Sequence, residues 1–305
     1  MKAYSIFDDF GLYPIEILET HGINVTVHPI GIPRPNHAQM KSILEEYDCV
    51  IIGTSQKITE DMFENIYSPR IIATASVGLD HIKFPSDKDV TIVNAPKANA
   101  QSVAEYIIGC ALGCCKRLSE GCKLYKDGLD NKNLSRKPED LAGRTLGVIG
   151  AGNISKRVME YAQFFGMKVI CWTRNPKAHK VLDVEFIALD ELAEKSDIIS
   201  VNLPDTDETK GIISAHLINS MKESCVFISV SRLATVNANA LFEKALMNHN
   251  FYVCLDIDIN NDLIKMLPKQ DNIMITPHIA GGTTETRKRM FYEVSSGIVE
   301  RIKNG

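Results

Sequence analysis

The stretch Thr145-Leu146-Gly147-Val148-Ile149-Gly150-Ala151-Gly152-Asn153-Ile154-Ser155 decides the fold. Residues 145–149 form an apolar run that reads as a buried strand. The chain then breaks at Gly150-Ala151-Gly152, and Ile154, Val158, Ala162 and Phe165 recur at helical spacing. Gly166 falls where a helix C-cap is expected, and Met167-Lys168-Val169-Ile170-Cys171-Trp172 reads as a second buried strand. Strand, tight turn, helix and strand make a β-α-β unit, the opening of a Rossmann domain. Gly150 and Gly152 let the backbone turn sharply and approach a pyrophosphate, whose charge is stabilised by free N–H groups where the helix opens at Asn153 and Ile154. A glycine pair alone would suit an ordinary turn as well; the flanking strands and helix supply the context that a nucleotide site requires. Ser155 takes the third position of the fingerprint, and serine is small enough for close helix packing.

Outward from this unit the chain alternates strand and helix patterns. Downstream, strands are expected at Asp197 to Asn202, Cys225 to Val230, Tyr252 to Asp256 and Ile273 to Ile275, which complete a sheet. Upstream, strands are expected at Ala3 to Phe7, Asn24 to His28, Cys49 to Ile52, Ile71 to Ala73 and Val90 to Val93, and Asn36 is a plausible N-cap for a helix to Tyr47. Strands separated by helices imply parallel sheets, so the fold class is α/β with two doubly wound parallel-sheet domains. A long helix from about Ala100 to Leu118 leads out of the first domain. The last segment, from Thr283, spaces Met290, Val294 and Ile298 four apart and should be an amphipathic helix packed back on that first domain. The expected boundaries are 1–97 with 283–305, and 98–282.

Composition sets limits on partners. Of 305 residues, 45% are hydrophobic and 24% charged, with a net charge of −4, which is ordinary for a globular protein and gives no electrostatic reason to expect nucleic acid. The longest apolar run, Ala104 to Cys115, is too short to span a bilayer, and the N-terminal residues lack the apolar core of a signal peptide, so a cytosolic location without membrane attachment is expected. Eight cysteines without a CxxC pair fit a reducing compartment. Cys110, Cys114 and Cys115 lie in one helical segment, where small buried apolar groups are expected in place of metal ligands.

The chain resembles the NAD(P)-dependent D-isomer-specific 2-hydroxyacid dehydrogenases, a family that includes glyoxylate/hydroxypyruvate reductases and phosphoglycerate dehydrogenase. The resemblance rests on Ser76-Val77-Gly78-Leu79-Asp80, Asn94-Ala95-Pro96, Ser102-Val103-Ala104-Glu105, the glycine turn, Leu203-Pro204 with Thr209, Ser231-Arg232, Leu255-Asp256 and Thr276-Pro277-His278-Ile279-Ala280-Gly281. It implies a Rossmann domain inserted in a flavodoxin-like substrate domain, a homodimer formed through the long helix, and hydride transfer between a nicotinamide cofactor and a small 2-oxo or D-2-hydroxy acid. Arg232 would bind the substrate carboxylate and carbonyl, a task suited to a guanidinium fork, and His278 would be the proton donor. Backbone N–H groups around Ser76, Val77 and Gly78 would hold the substrate carboxylate. Pro204, Thr209, Val230, Ser231, Asp256 and Gly281 would line the cofactor with the glycine turn. Of the other histidines only His81 lies close to the carboxylate loop, and a surface role is expected for it.

Two departures from the family pattern bear on chemistry. Five residues past Asp256, where the family places a glutamate against its histidine, this chain has Asn261, followed by Asp262. An amide brings no negative charge, so His278 is expected to lack its usual anionic partner unless a loop shift brings Asp262 or Asp258 to the ring. After Arg232 the chain reads Leu233-Ala234-Thr235-Val236-Asn237, where the family prefers a glycine and then an aspartate. A cofactor-binding regulatory or corepressor-like module with little turnover is therefore the alternative to an active reductase. Cofactor choice is readable at the end of the second Rossmann strand. An NAD-binding unit presents an acid there to the ribose hydroxyls, whereas this chain has Thr173 and Arg174, with Lys177 beyond. NADPH is expected in preference, with NAD possible.

Overall fold

The computed structural model describes residues 1–64, 69–79, 81–176, 184–259, 267 and 270–304. The chain divides into two compact units, Met1–Asn99 with Thr284–Gly305, and Ala100–Thr283.

The first unit carries β1 (Lys2–Ser5), α1 (Leu12–Glu19), β2 (Asn24–Val27), α2 (His37–Glu46), β3 (Cys49–Ile52), β4 (Ile71–Thr74) and β5 (Thr91–Asn94). Its five strands are ordered β2-β1-β3-β4-β5 and all run parallel, the flavodoxin-like arrangement. Strands β3 and β4 are buried along their whole length, which is why they read as unbroken apolar runs with no alternation. Asn36 does cap α2, within a capping box completed by Gln39. The last helix of the chain, Thr284–Asn304, belongs to this unit and packs on α1, β4 and β5. Its Val294 and Ile298 are fully buried, and Phe291 sits between Phe7 and Phe10 with ring centroids at 4.9 and 5.0 Å. Burying side chains of this size stabilises by about 1.5–3 kcal/mol each.

The second unit opens with α3 (Ala100–Cys115) and α4 (Leu118–Lys126), followed by β6 (Thr145–Ile149), α5 (Asn153–Phe164), β7 (Lys168–Trp172), β8 (Glu185–Phe186), α6 (Leu189–Lys195) and β9 (Ile198–Val201). It continues with α7 (Ala215–Ser220), β10 (Val226–Ser229), α8 (Ala238–Met247), β11 (Tyr252–Asp256) and β12 (Ile273–Thr276), and the C-terminal helix of the first unit is α9. The long helix expected to Leu118 stops earlier: Arg117 takes a left-handed φ of 59° and breaks it into α3 and α4. The seven-stranded parallel sheet is ordered β8-β7-β6-β9-β10-β11-β12, a Rossmann order whose direction reverses between β6 and β9. Cys110, Cys114 and Cys115 are buried on α3, with Cys114 Sγ 3.4 Å from Cys254 Sγ. Burial pushes the thiols of Cys49, Cys171 and Cys225 up to about 12, so they pack as small apolar groups.

Candidate active site

At the reversal point Gly150 ends β6 with a φ of 101°, and a Cβ on it would lie 2.7 Å from the Asn202 carbonyl oxygen at the end of β9. Glycine is therefore required twice over, by conformation and by the neighbouring backbone. Gly152 differs, since a Cβ there would meet no protein atom within 4 Å. Helix α5 begins at once after it, with no side-chain cap and no acidic residue in its first turn. Uncapped N–H groups, a positive helix end and a residue without a side chain fit an anionic phosphate. Ser155 is fully buried and accepts a 3.3 Å bond from Asn202 Nδ2, drawing α5 close to the end of β9.

Neighbouring loops are braced by their own polar groups. Ser231 Oγ accepts from the Leu203 N–H at 2.8 Å and donates to the Val201 carbonyl at 3.2 Å, tying the ends of β10 and β9 together, and the Val230 N–H donates to the same carbonyl at 3.3 Å. Thr209 is 1% exposed, and its hydroxyl donates to the Pro204 carbonyl at 2.6 Å, so it acts inside the turn that carries Pro204 and not on its surface. At the end of β7, Arg174 Nη1 lies 2.6 Å from Glu208 Oε2, an exposed ion pair beside Thr173. Lys177 lies outside the described residues.

Past β11, Asp256 is buried and its carboxylate accepts from Thr276 Oγ1 at 2.6 Å and from the N–H groups of Ile279 and Ala280, each at 2.8 Å. Because Thr276 spends its proton on Asp256, the 2.6 Å bond between Tyr106 Oη and Thr276 Oγ1 is donated by the tyrosine. These bonds hold the loop after β12 that runs through His278 to Gly281. His278 has a φ of 52°, a left-handed conformation that is uncommon outside glycine and marks functional sites. Its Nδ1 lies 2.7 Å from Asp258 Oδ1, and Arg232 Nη1 lies 3.5 Å from both ring nitrogens and 3.6 Å from Asp258 Oδ2. The expectation of a histidine without a carboxylate is thus corrected. Asp258, only two residues beyond β11, reaches the ring that the left-handed turn aims back toward it. Asn261 and Asp262 lie outside the described residues. Burial pushes the Asp258 carboxyl up, but the hydrogen bond from His278 and the charges of His278 and Arg232 outweigh it and hold the group below the ordinary carboxylate value.

In the first unit the loop after β4 turns its carbonyls inward. Those of Ser76, Val77, Gly78 and Leu79 accept from Ala95 N–H (3.0 Å), Asn94 Nδ2 (2.9 Å), Ser76 Oγ (2.8 Å) and Ile82 N–H (3.0 Å) respectively. Among the described residues the N–H groups of Val77 and Gly78 have no acceptor. Two successive N–H groups are thereby left available as donors. His81 departs from the expected surface role, being 7% exposed, with Nε2 3.0 Å from Thr74 Oγ1.

Residues 108–280 match the model of the D-isomer specific 2-hydroxyacid dehydrogenase NAD binding domain. The chain belongs to that family. It is 32% identical over 270 residues to a hydroxypyruvate reductase of Thermotoga maritima, covering 87% of this chain and 88% of the relative. It is 28% identical to a glyoxylate reductase of Thermofilum pendens, over 92% of this chain and 86% of that one. Among solved structures, an acyclic imino acid reductase in complex with NADPH and D-Arg superposes with a TM-score of 0.85 at 25% identity, covering 100% of this chain and 98% of the other. A D-lactate dehydrogenase of Aquifex aeolicus complexed with NAD and lactic acid gives 0.78 at 26% identity, covering 100% and 96%. This member of the family is an oxidoreductase with a nicotinamide-dinucleotide binding domain, not a regulatory module that merely resembles one. Among the described residues no helix is long and apolar enough to cross a membrane.

Proposed function

We propose that this dehydrogenase reduces a small 2-oxo acid to the D-2-hydroxy acid, with hydroxypyruvate and glyoxylate as the first candidates and NADPH preferred to NADH. The observation that carries the chemistry is the cluster of Arg232, His278 and Asp258, in which one ring nitrogen is committed to a carboxylate at 2.7 Å. With Nδ1 donating to Asp258, Nε2 is the nitrogen that meets the substrate and passes its proton to the carbonyl oxygen. Arg232 holds the substrate through carboxylate and carbonyl oxygens and stabilises charge developing on the latter. The N–H groups of Val77 and Gly78 offer a second anchor for the carboxylate. Bound NADPH supplies the hydride. Its 2′-phosphate is given a cation by Arg174, and no acidic residue lies between Lys168 and Val181 to serve ribose hydroxyls instead.

A homodimer in the cytosol completes the proposal. Helix α4 has no buried residue, and Leu118 and Tyr125 on it stand 58% and 85% exposed, surface that a second copy can cover. Cofactor oxidation followed with a panel of 2-oxo acids tests the activity. Absence of turnover with every acid, or catalytic efficiency with NADH equal to or above that with NADPH, refutes the corresponding half of the proposal.

A further inference from the structure

Three buried polar side chains are joined by hydrogen bonds in and beside the loop after β4: Thr74 (0% exposed), Ser76 (4%) and His81 (7%). Ser76 Oγ lies 2.8 Å from the Gly78 carbonyl oxygen and 2.8 Å from Thr74 Oγ1, and Thr74 Oγ1 lies 3.0 Å from His81 Nε2. Counting protons fixes the direction of the whole chain. A carbonyl only accepts, so the single Ser76 hydroxyl proton points to Gly78. The bond between the hydroxyls is therefore donated by Thr74. Thr74 has then spent its only proton, and its bond to the imidazole must be donated by His81. The ring carries its proton on Nε2, and the chain runs from His81 through Thr74 and Ser76 to the Gly78 carbonyl.

We infer that His81 and Thr74 are positioning residues for substrate binding, forming a one-way hydrogen-bond relay that fixes the Gly78 carbonyl and so turns the Gly78–Leu79 peptide, presenting the Leu79 N–H beside those of Val77 and Gly78 to the substrate carboxylate. The inference rests on the proposal that this loop binds that carboxylate. Three features give the relay leverage. Gly78 is exposed and without a side chain to hold it, whereas the Ser76 and Val77 carbonyls are anchored independently by Ala95 and Asn94. The His81 end is stitched down, since its carbonyl accepts from the Ile58 N–H at 2.9 Å and Ile58 bridges to Ile82. Finally, the Thr74, Ser76 and His81 side chains are buried, so a link broken among them leaves a desolvated donor or acceptor behind rather than one that water repairs.

The test is binding of oxamate, a carboxylate-bearing substrate analogue, to the cofactor-loaded protein by calorimetry, so that no turnover is needed. Thr74→Val keeps the shape and removes the hydroxyl, and His81→Leu removes the donor; both are expected to weaken oxamate by roughly 5- to 30-fold, as for loss of one or two buried hydrogen bonds. Thr74→Ser and His81→Gln restore a hydroxyl and an N–H donor at the place of Nε2 and are expected to stay within about threefold of wild type, a rescue that mere volume at these positions would not produce. Cofactor affinity is expected to hold in all four. With a turned-over 2-oxo acid the first two variants should raise KM far more than they lower kcat. Nitrogen-15 spectra of the wild type should show His81 protonated at Nε2. Oxamate binding by Thr74→Val at wild-type strength, or a ring bare at Nε2, overturns the relay while leaving the carboxylate loop in place. Failure of the wild type itself to bind oxamate overturns the loop proposal and the relay with it.

Discussion

Replacing Asp258 by asparagine removes one negative charge and almost no volume from beside His278. The 2.7 Å contact between Asp258 Oδ1 and His278 Nδ1 is a charge-assisted bond, a type that contributes about 1.5–3 kcal/mol when sheltered. The Asp258 side chain is 69% exposed, so solvent screening reduces this to roughly 1–2 kcal/mol. Such a loss corresponds to a fall of about 5- to 30-fold in kcat/KM. An amide oxygen can still accept from Nδ1, whereas alanine cannot, so Asp258→Ala should be the worse variant by a further factor of about 10 for lost orientation. The pH profile adds a sign. Because the Asp258 carboxyl is held below the ordinary carboxylate value in the folded protein, its contribution is complete above that ordinary value and is lost only as pH falls through the lowered one. Asp258→Asn abolishes that acid-side loss. The assay is kcat/KM against pH with the best 2-oxo acid for wild type, Asp258→Asn, Asp258→Ala and Asp262→Asn. Wild-type profiles for both Asp258 variants, with a displaced limb in Asp262→Asn, would refute the assignment and transfer the role to Asp262.

Arg232→Ala should reduce kcat/KM by at least about 100-fold, on the order of 3 kcal/mol of transition-state stabilisation, while NADPH affinity measured by fluorescence titration stays near wild type; near-normal turnover would make the arginine structural. Arg174→Ala should weaken NADPH about 10-fold or more and spare NADH, whereas Glu208→Gln releases the guanidinium from a solvent-screened pair and should improve NADPH no more than about fivefold. Equal effects on both cofactors would place Arg174 outside 2′-phosphate recognition. Gly150→Ala puts a Cβ at a φ of 101° and 2.7 Å from a backbone oxygen, so unfolding in urea should show a loss of about 1–3 kcal/mol, and an unchanged midpoint would contradict that geometry.

Local patterns made the Rossmann unit legible, because a strand, two glycines and an amphipathic helix each leave a signal within a few residues of sequence. Thr145–Ile149, Asn153–Phe164 and Lys168–Trp172 follow the apolar runs that predict them. The break at Arg117 left no such trace: a left-handed arginine is held by its Glu120 and Ser135 partners and by Tyr252, 4.8 Å from its guanidinium carbon and far away in sequence. The burial of His81 leaves no local trace for the same reason. A histidine in a loop reads as solvated, and only the fold brings Thr74 and Ser76 up to cover its donor. Asp258 was legible as a carboxylate within reach but not as the partner, because the choice depends on how the turn at His278 aims the ring.

That turn explains how a carboxylate from another position can serve the same histidine. The place of His278 is fixed by Asp256, whose oxygens gather Thr276 Oγ1 and the N–H groups of Ile279 and Ala280, on either side of the histidine in sequence. None of those bonds involves the imidazole. The backbone therefore holds its left-handed φ whatever stands at the ring, and the anionic partner need only arrive within hydrogen-bond distance of Nδ1. Asp258 does so two residues beyond Asp256, at the end of the strand that carries the clamp, where the chain has had little length in which to wander. A glutamate five residues on would come from a longer excursion and reach with a longer side chain. An aspartate at 258 compensates for its shorter side chain by its nearness to the fixed point. Placement of the ring and supply of its charge are thus separate tasks in this site, carried by Asp256 and Asp258, and replacing the second should change the chemistry of His278 without displacing it.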